Sequence, residues 1–280
     1  MLVTGATSGI GAETARALAF AGARVHVGSR TPAKGAAACD TIRAVHPQAD
    51  VVPFVADLSS LAAVRAAAQA FADEALDVLI CNAGVFGGGY AASADGIERT
   101  FAVCHLAHAV LFDELRPRMH HAAERAERHA RLVMVSSESH RGRKQLDLAH
   151  VPMSEADHAD MAAYDLAKLC NVLFAREADR RFASGGIRAV SLHPGTMVHT
   201  DIARSSWYAR LGMWLLKPLT PSIAQGAATS VYAAAHPDLE GVGGVYLDKV
   251  AIAAESELGR DDEAARMLWE HTAQLLADLP

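Results

Sequence analysis

The opening of the chain constrains its fold more than any other stretch. Met1 to Thr4 reads as a short strand, and it runs through Thr4-Gly5-Ala6-Thr7-Ser8-Gly9-Ile10-Gly11 into a helix expected from about Ala12 to Ala21. Glycines between a strand and a helix let the backbone come close to a pyrophosphate, which then sits on the positive helix N-terminus. The same turn also serves as a tight strand-to-helix connection with no ligand. The spacing is G-x-x-x-G-x-G, which makes Gly5, Thr7, Ser8, Gly9, Ile10 and Gly11 the candidate cofactor loop.

The strand-then-helix order recurs downstream. The strand Ala23 to Ser29 ends at Arg30, about 20 residues past the glycine loop, where an acid would hold the ribose 2′-hydroxyl of NAD. A guanidinium there suits a 2′-phosphate, with Lys34 one helical turn later, so NADP(H) is the expected cofactor. The competing reading is that both residues solvate a loop and a helix start. The strand Val51 to Ala56 leads into Asp57-Leu58-Ser59-Ser60 and a helix through about Ala75. Asp57 or Ser59 is expected to cap that helix, and Asp57 with Leu58 to lie beside the adenine. Leu76 to Cys81 is a continuous apolar run, as in a parallel strand buried on both faces. It ends in Asn82-Ala83-Gly84, small enough for a ligand or another strand to approach closely.

Tyr164 and Lys168 stand at i, i+4 in an apolar-periodic helical run that includes Met161, Leu166, Leu169, Val172 and Leu173. A free phenol ionises near pH ~10, and a neighbouring ammonium favours its anion, so the pair is suited to proton transfer. Taken alone it equally describes a solvated helix face.

The order of these elements resembles the short-chain dehydrogenase/reductase family over essentially the whole chain. The resemblance rests on the glycine pattern, Asp57-Leu58, Asn82-Ala83-Gly84, a serine after a fifth strand, Tyr164-x-x-x-Lys168 and His193-Pro194-Gly195. Three stretches are most similar to the retinol-dehydrogenase-like branch, and within it to the oxidoreductase domain of WW-domain-containing oxidoreductases, here without the WW modules. They are Val135-Ser136-Ser137-Glu138-Ser139-His140-Arg141, Lys168-Leu169-Cys170-Asn171-Val172-Leu173-Phe174 and Gln225-Gly226-Ala227-Ala228-Thr229. Leu239-Glu240-Gly241-Val242-Gly243-Gly244-Val245-Tyr246 adds to the likeness.

The resemblance implies an α/β fold, a Rossmann-like doubly wound parallel sheet with helices on both faces. Residues 1–280 would form a single domain, with a small substrate lid over about 197–222. It implies hydride transfer between nicotinamide and a small hydrophobic alcohol or carbonyl. Tyr164 would exchange the proton, Lys168 would depress its pKa and hold the nicotinamide ribose, and Ser137 would polarise the substrate oxygen; Ser136 and Ser139 are the turn-forming alternatives. Pro194 and Gly195 would direct the backbone across the nicotinamide, followed by Val198 and by Thr200 at its carboxamide. Trp207, Tyr208, Leu211 and Trp214 would line an apolar lid, the rival reading being a surface helix touching membrane. A homodimer or tetramer paired through the long helices is implied as well.

Cys104 stands where the family carries an asparagine, in a long helix expected from about Gly96 to Arg118. A thiol donates and accepts weakly, and packing within the helix is its simplest role. This motivates the alternative of an NADP(H)-binding regulatory or scaffold protein with little turnover. The net charge of −6 and pI near 6.1 give no reason to expect nucleic acid. The 51% hydrophobic share fits a soluble globule, and no apolar run reaches the ~20 residues of a spanning helix. Four scattered cysteines fit a reducing, cytoplasmic setting, and His120, His121 and His129 read as a solvated helix end rather than a metal site. No signal peptide is expected, and the short first strand suggests that an inner strand begins a residue or two late.

Overall fold

The computed structural model describes residues 1–195 and 222–279. In chain order these form β1 (Leu2–Val3), α1 (Gly9–Phe20), β2 (Val25–Ser29), α2 (Pro32–Val45), β3 (Val51–Val55), α3 (Leu61–Gln69) and β4 (Val78–Cys81). A helical turn Arg99–Phe101 and a π-helical segment Ala102–Leu106 then lead into α4 (Ala107–Ala126). The remainder is β5 (Ala130–Val135), α5 (Asp160–Phe182), β6 (Ile187–His193), α6 (Ile223–Ala235), β7 (Val245–Asp248), β8 (Ala251–Ala253) and α7 (Asp262–Ala277).

The strands make one sheet in the order β3-β2-β1-β4-β5-β6-β7-β8, parallel throughout except for the β7–β8 pair. Every residue of β4 and β5 is buried, because helices cover both faces. On one face Leu61 and Val64 of α3, Leu111 and Leu115 of α4, Leu169 and Leu173 of α5 and Leu268 of α7 share a core. On the other, Leu18 of α1, Ile42 of α2 and Ala233 of α6 pack on Val3, Val27 and Val133. The doubly wound expectation is therefore met. Strand order reverses between β1 and β4, and the crevice beyond their carboxyl ends is where such sheets bind ligands.

Several local expectations change. Helix α1 starts at Gly9, inside the glycine turn. Neither Asp57 nor Ser59 caps α3: Ser60 does, accepting from Ala63 N at 3.3 Å, while Asp95 accepts from Leu61 N at 2.9 Å. Asp57 instead closes the preceding turn by accepting from the Ser59 N–H and hydroxyl at 2.9 and 2.7 Å. The long helix runs on to Ala126 and is broken early by the π segment. Strand β8 was not anticipated. Its two-residue turn puts Lys249 and Val250 at φ 49° and 63°, a conformation that hairpins usually mark with asparagine, aspartate or glycine.

Candidate active site

The glycine turn, the end of β4 and the start of α1 meet at the crevice. Thr4 Oγ1 accepts from the main-chain N–H groups of Asn82 and Ala83, both at 2.9 Å, and Asn82 Nδ2 donates to Thr4 O at 2.9 Å. Gly5 has φ +64°, and a Cβ there would lie 2.9 Å from Ala83 Cα; one on Gly11 would strike Asn82 Nδ2 and Gly5 O. Only glycine lets these three backbones approach so closely. Ser8 is extended and exposed and makes no side-chain cap, so the positive end of α1 is left without that partner. A cradle of this kind suits a phosphate group. Thr7 beside it is half-buried and Ile10 faces the core.

Arg30 follows β2 with its Nε 3.9 Å from Asp57 Oδ1, and both side chains are largely exposed. Such a pair holds the guanidinium only loosely. Partial burial pushes the Asp57 carboxyl up, but the two Ser59 bonds and Arg30 outweigh it and keep the group below its ordinary range. Lys34 is exposed on the first turn of α2, where its main-chain N–H meets the capping Thr31 hydroxyl. Leu58 packs half-buried against the core under the crevice.

Helix α5 carries Tyr164 and Lys168 to the same place. The Lys168 Nζ lies 5.4 Å from the Tyr164 ring centroid and donates to Val135 O at 3.0 Å, and the residue is 3% exposed. A Cβ on Gly84 would sit 3.6 Å from that Nζ, so the turn after β4 lies against the lysine. Phe86 meets Tyr164 edge-on, 5.2 Å between centroids. The serines after β5 separate by role. Ser136 is buried and donates to Lys168 O at 2.7 Å, tying β5 to α5. Ser137 is half-buried at the strand's carboxyl end, and its hydroxyl accepts from Ser139 N at 3.2 Å.

Cys104 sits in the π segment and does more than pack. Its thiol donates to Val85 O at 3.4 Å and accepts from Val85 N at 3.3 Å, gripping the residue that follows Asn82-Ala83-Gly84. Burial pushes this thiol up, so it is held as S–H and is not a nucleophile. Its carbonyl accepts from Asn171 Nδ2 at 3.0 Å and His108 Nδ1 at 3.1 Å. Asn171 Nδ2 also reaches Val135 O at 3.2 Å, the carbonyl that holds Lys168, and Asn171 Oδ1 takes His105 Nδ1 at 3.1 Å. The far nitrogen of His108 takes the Thr4 hydroxyl at 2.9 Å. Both imidazoles are completely buried, and desolvation lowers them to about 4 for His105 and about 3 for His108. Thr4, His105, His108 and Asn171 were not singled out from sequence. The available signal was polar residues inside apolar helical runs, with Asn171 at i+3 from Lys168 and hence on one face.

His193 ends β6, buried, and neither ring nitrogen has a hydrogen-bond partner among the described residues. Burial lowers it, opposed by Asp248. Pro194 and Gly195 follow, the latter at φ 107°. Val198, Thr200, Trp207, Tyr208, Leu211, Trp214 and the lid around them lie outside the described residues. Among the described residues no His, Cys, Asp and Glu group could hold a metal. His120 bonds Gly185 O at 2.6 Å and His129 bonds Glu240 at 2.7 Å, both serving structure. No described helix is long and apolar enough to cross a membrane.

Comparison with known proteins places this site in context. The family model described as short chain dehydrogenase matches residues 1–210. The chain is 40% identical over 288 residues to the WW domain-containing oxidoreductase of Danio rerio, covering 99% of this chain and 68% of that one. It is 36% identical over 279 residues to retinol dehydrogenase 12 of Mus musculus, covering 99% and 85%. A crystal structure of an uncharacterized protein from Mycobacterium paratuberculosis superposes with TM-score 0.77 at 30% identity, covering 99% of this chain and 92% of that one.

Proposed function

The chain belongs to the short-chain dehydrogenase/reductase family of oxidoreductases, and from that premise we propose that it reduces hydrophobic aldehydes or ketones with NADPH. The carrying observation is the Lys168 ammonium, 3.0 Å from Val135 O, under the Tyr164 ring and against the turn at Gly84. It joins the proton-transfer pair to the coenzyme side of the crevice.

Bound NADPH would supply the hydride to the carbonyl carbon. The cradle of Gly5, Thr7, Ser8, Gly9, Ile10 and Gly11 would hold the pyrophosphate on α1, with Asp57, Leu58, Asn82, Ala83 and Gly84 along the adenosine side. Arg30, with Lys34 beyond it, would turn from Asp57 to the 2′-phosphate, and Pro194 and Gly195 would pass beside the nicotinamide. Tyr164 Oη would give its proton to the substrate oxygen while the Ser137 hydroxyl donates to the same oxygen. The Lys168 ammonium stabilises the negative charge that develops on Tyr164 as the proton leaves. The Cys104 thiol both donates to and accepts from Val85, holding the turn beside Lys168 in place, which favours the enzyme reading over a scaffold without turnover. The free, buried cysteines support a reducing cytoplasmic setting. A homo-oligomer would have to avoid the face of α5 on which α7 lies, where Trp269 stacks on Phe174 at 4.7 Å.

Absorbance of NADPH with a panel of apolar carbonyl compounds tests the reading. Turnover should exceed that with NADH, and Tyr164→Phe should reduce kcat by roughly 10²–10⁴-fold. Arg30→Asp should shift selectivity toward NADH by roughly tenfold or more, the worth of a charge-assisted bond. Preference of the wild type for NADH, or unaltered selectivity in Arg30→Asp, would remove the cofactor assignment.

A further inference from the structure

The segment after β5 holds an imidazole that the reaction above does not use. His140 lies in the short 3-10 turn Glu138–Gly142 and is fully buried. Its Nδ1 is 2.6 Å from Ser137 O, and its Nε2 is 3.1 Å from the main-chain N of Ser256. A carbonyl only accepts and an amide N–H only donates, so the ring must carry its proton on Nδ1 and present a bare Nε2. The ring packs on Tyr246 of β7 with centroids 4.9 Å apart. Arg141 of the same turn bonds Ala254 O, which adds a second tie to the segment before α7. Ser137 is thus braced through its own carbonyl by residues more than a hundred positions away.

We propose that His140 is a positioning residue for Ser137: in its neutral form it bridges the Ser137 carbonyl to the Ser256 N–H and so fixes where the serine hydroxyl stands in the crevice. The inference rests on the oxidoreductase reading of the site. Protonation would set a second N–H against that of Ser256, break the bridge and release Ser137 from its aim.

Among the described residues the charged and titratable groups around the ring and its turn come from five places, the first being α5, whose Asp165 lies against Gly142 and Ser139. Glu138 and Arg141 lie on its own turn and pair at 2.9 Å, Tyr246 comes from β7, Glu255 from the segment before α7 and His193 from the end of β6. Desolvation is the largest influence and lowers His140, with Arg141 acting the same way and the Ser137 bond, Glu138 and Glu255 opposing. A group depressed in the fold is neutral at pH 7, and the bridge is lost as pH falls through the depressed value. The acid side of the kcat profile should therefore fall with His140 protonation, while NADPH affinity, set on the far side of the crevice, stays level.

Three measurements decide it. Nitrogen-15 NMR of the wild-type imidazoles should find His140 as the neutral Nδ1–H tautomer near pH 7; an Nε2–H tautomer or a charged ring overturns the bridge without any variant. In steady-state kinetics, His140→Gln, whose amide offers one donor and one acceptor and does not titrate, should keep more kcat than His140→Leu and flatten the acid limb. Its KM for NADPH should match the wild type. A wild-type acid limb retained in His140→Gln, or equal losses in kcat and NADPH affinity, overturns the positioning role. Absence of turnover in the wild type at every pH would instead sink the oxidoreductase reading, with the tautomer still deciding the bridge.

Discussion

At the scale of single residues, Cys104 carries the sharpest test. Its sulfur serves both the N–H and the carbonyl of Val85, and that clamp holds the turn at Gly84 against Lys168. Cys104→Ala leaves both groups without that partner, so we expect a loss of about 1–2 kcal/mol by urea denaturation together with a lower kcat. Cys104→Asn restores a donor and an acceptor and should hold kcat at or above wild type. Equal kcat in all three proteins would show that the clamp does not bear on the reaction. The position was legible in the sequence as a departure from the family's asparagine. Its partner was not, because Val85 becomes a neighbour only when the turn after β4 folds back over the π segment. Ser137 was separable from Ser136 only in three dimensions, where the Ser136 hydroxyl is committed to Lys168 O.

At the scale of elements, the π segment Ala102–Leu106 is the feature that brings chain-distant groups together. Within it the Cys104 carbonyl takes Asn171 Nδ2 and His108 Nδ1, and π-turns of this kind are common at functional sites. Asn171 then links α5, β5 and the π segment. Asn171→Leu should strand His105 Nδ1 in a dry interior, at roughly 1–3 kcal/mol, and leave the Cys104 carbonyl with His108 Nδ1 as its side-chain donor. It should also lower kcat, since Val135 O, the seat of Lys168, loses a donor. A melting temperature and kcat equal to wild type would contradict this. Apolar periodicity and glycine turns revealed the main strands and the helix that carries Tyr164 and Lys168, since burial on both faces forces continuous apolar runs. The π segment left no such mark, because its residues remain apolar or buried whichever way the ladder runs. Strand β8 was hidden for a related reason: the Lys249-Val250 turn lacks the residues that ordinarily announce a hairpin.

At the scale of the whole molecule, the distribution of histidine sets a pH limit on stability. Among the described histidines, His26, His105, His108, His140 and His193 are buried, and burial is the largest influence on each, lowering all five. In the unfolded chain an imidazole takes its proton near pH ~6.5. In the fold His105 waits until about 4 and His108 until about 3. Between those values the unfolded state binds more protons, so stability must rise with pH, by up to about 1.4 kcal/mol per unit for each such group. The contribution is complete above the ordinary imidazole value and drains away as pH falls through the folded ones. Urea midpoints measured at pH 7.5, 6.0 and 5.0 should therefore decrease in that order, with the steeper drop below pH 6. Carboxylates such as Asp57, held low in the fold, add their share only nearer their own ordinary range of ~4. A midpoint unchanged from pH 7.5 to 5.0 would mean that these imidazoles are hydrated or charged in the folded protein. The neutral network beneath Lys168 could not then have the hydrogen-bond directions described above.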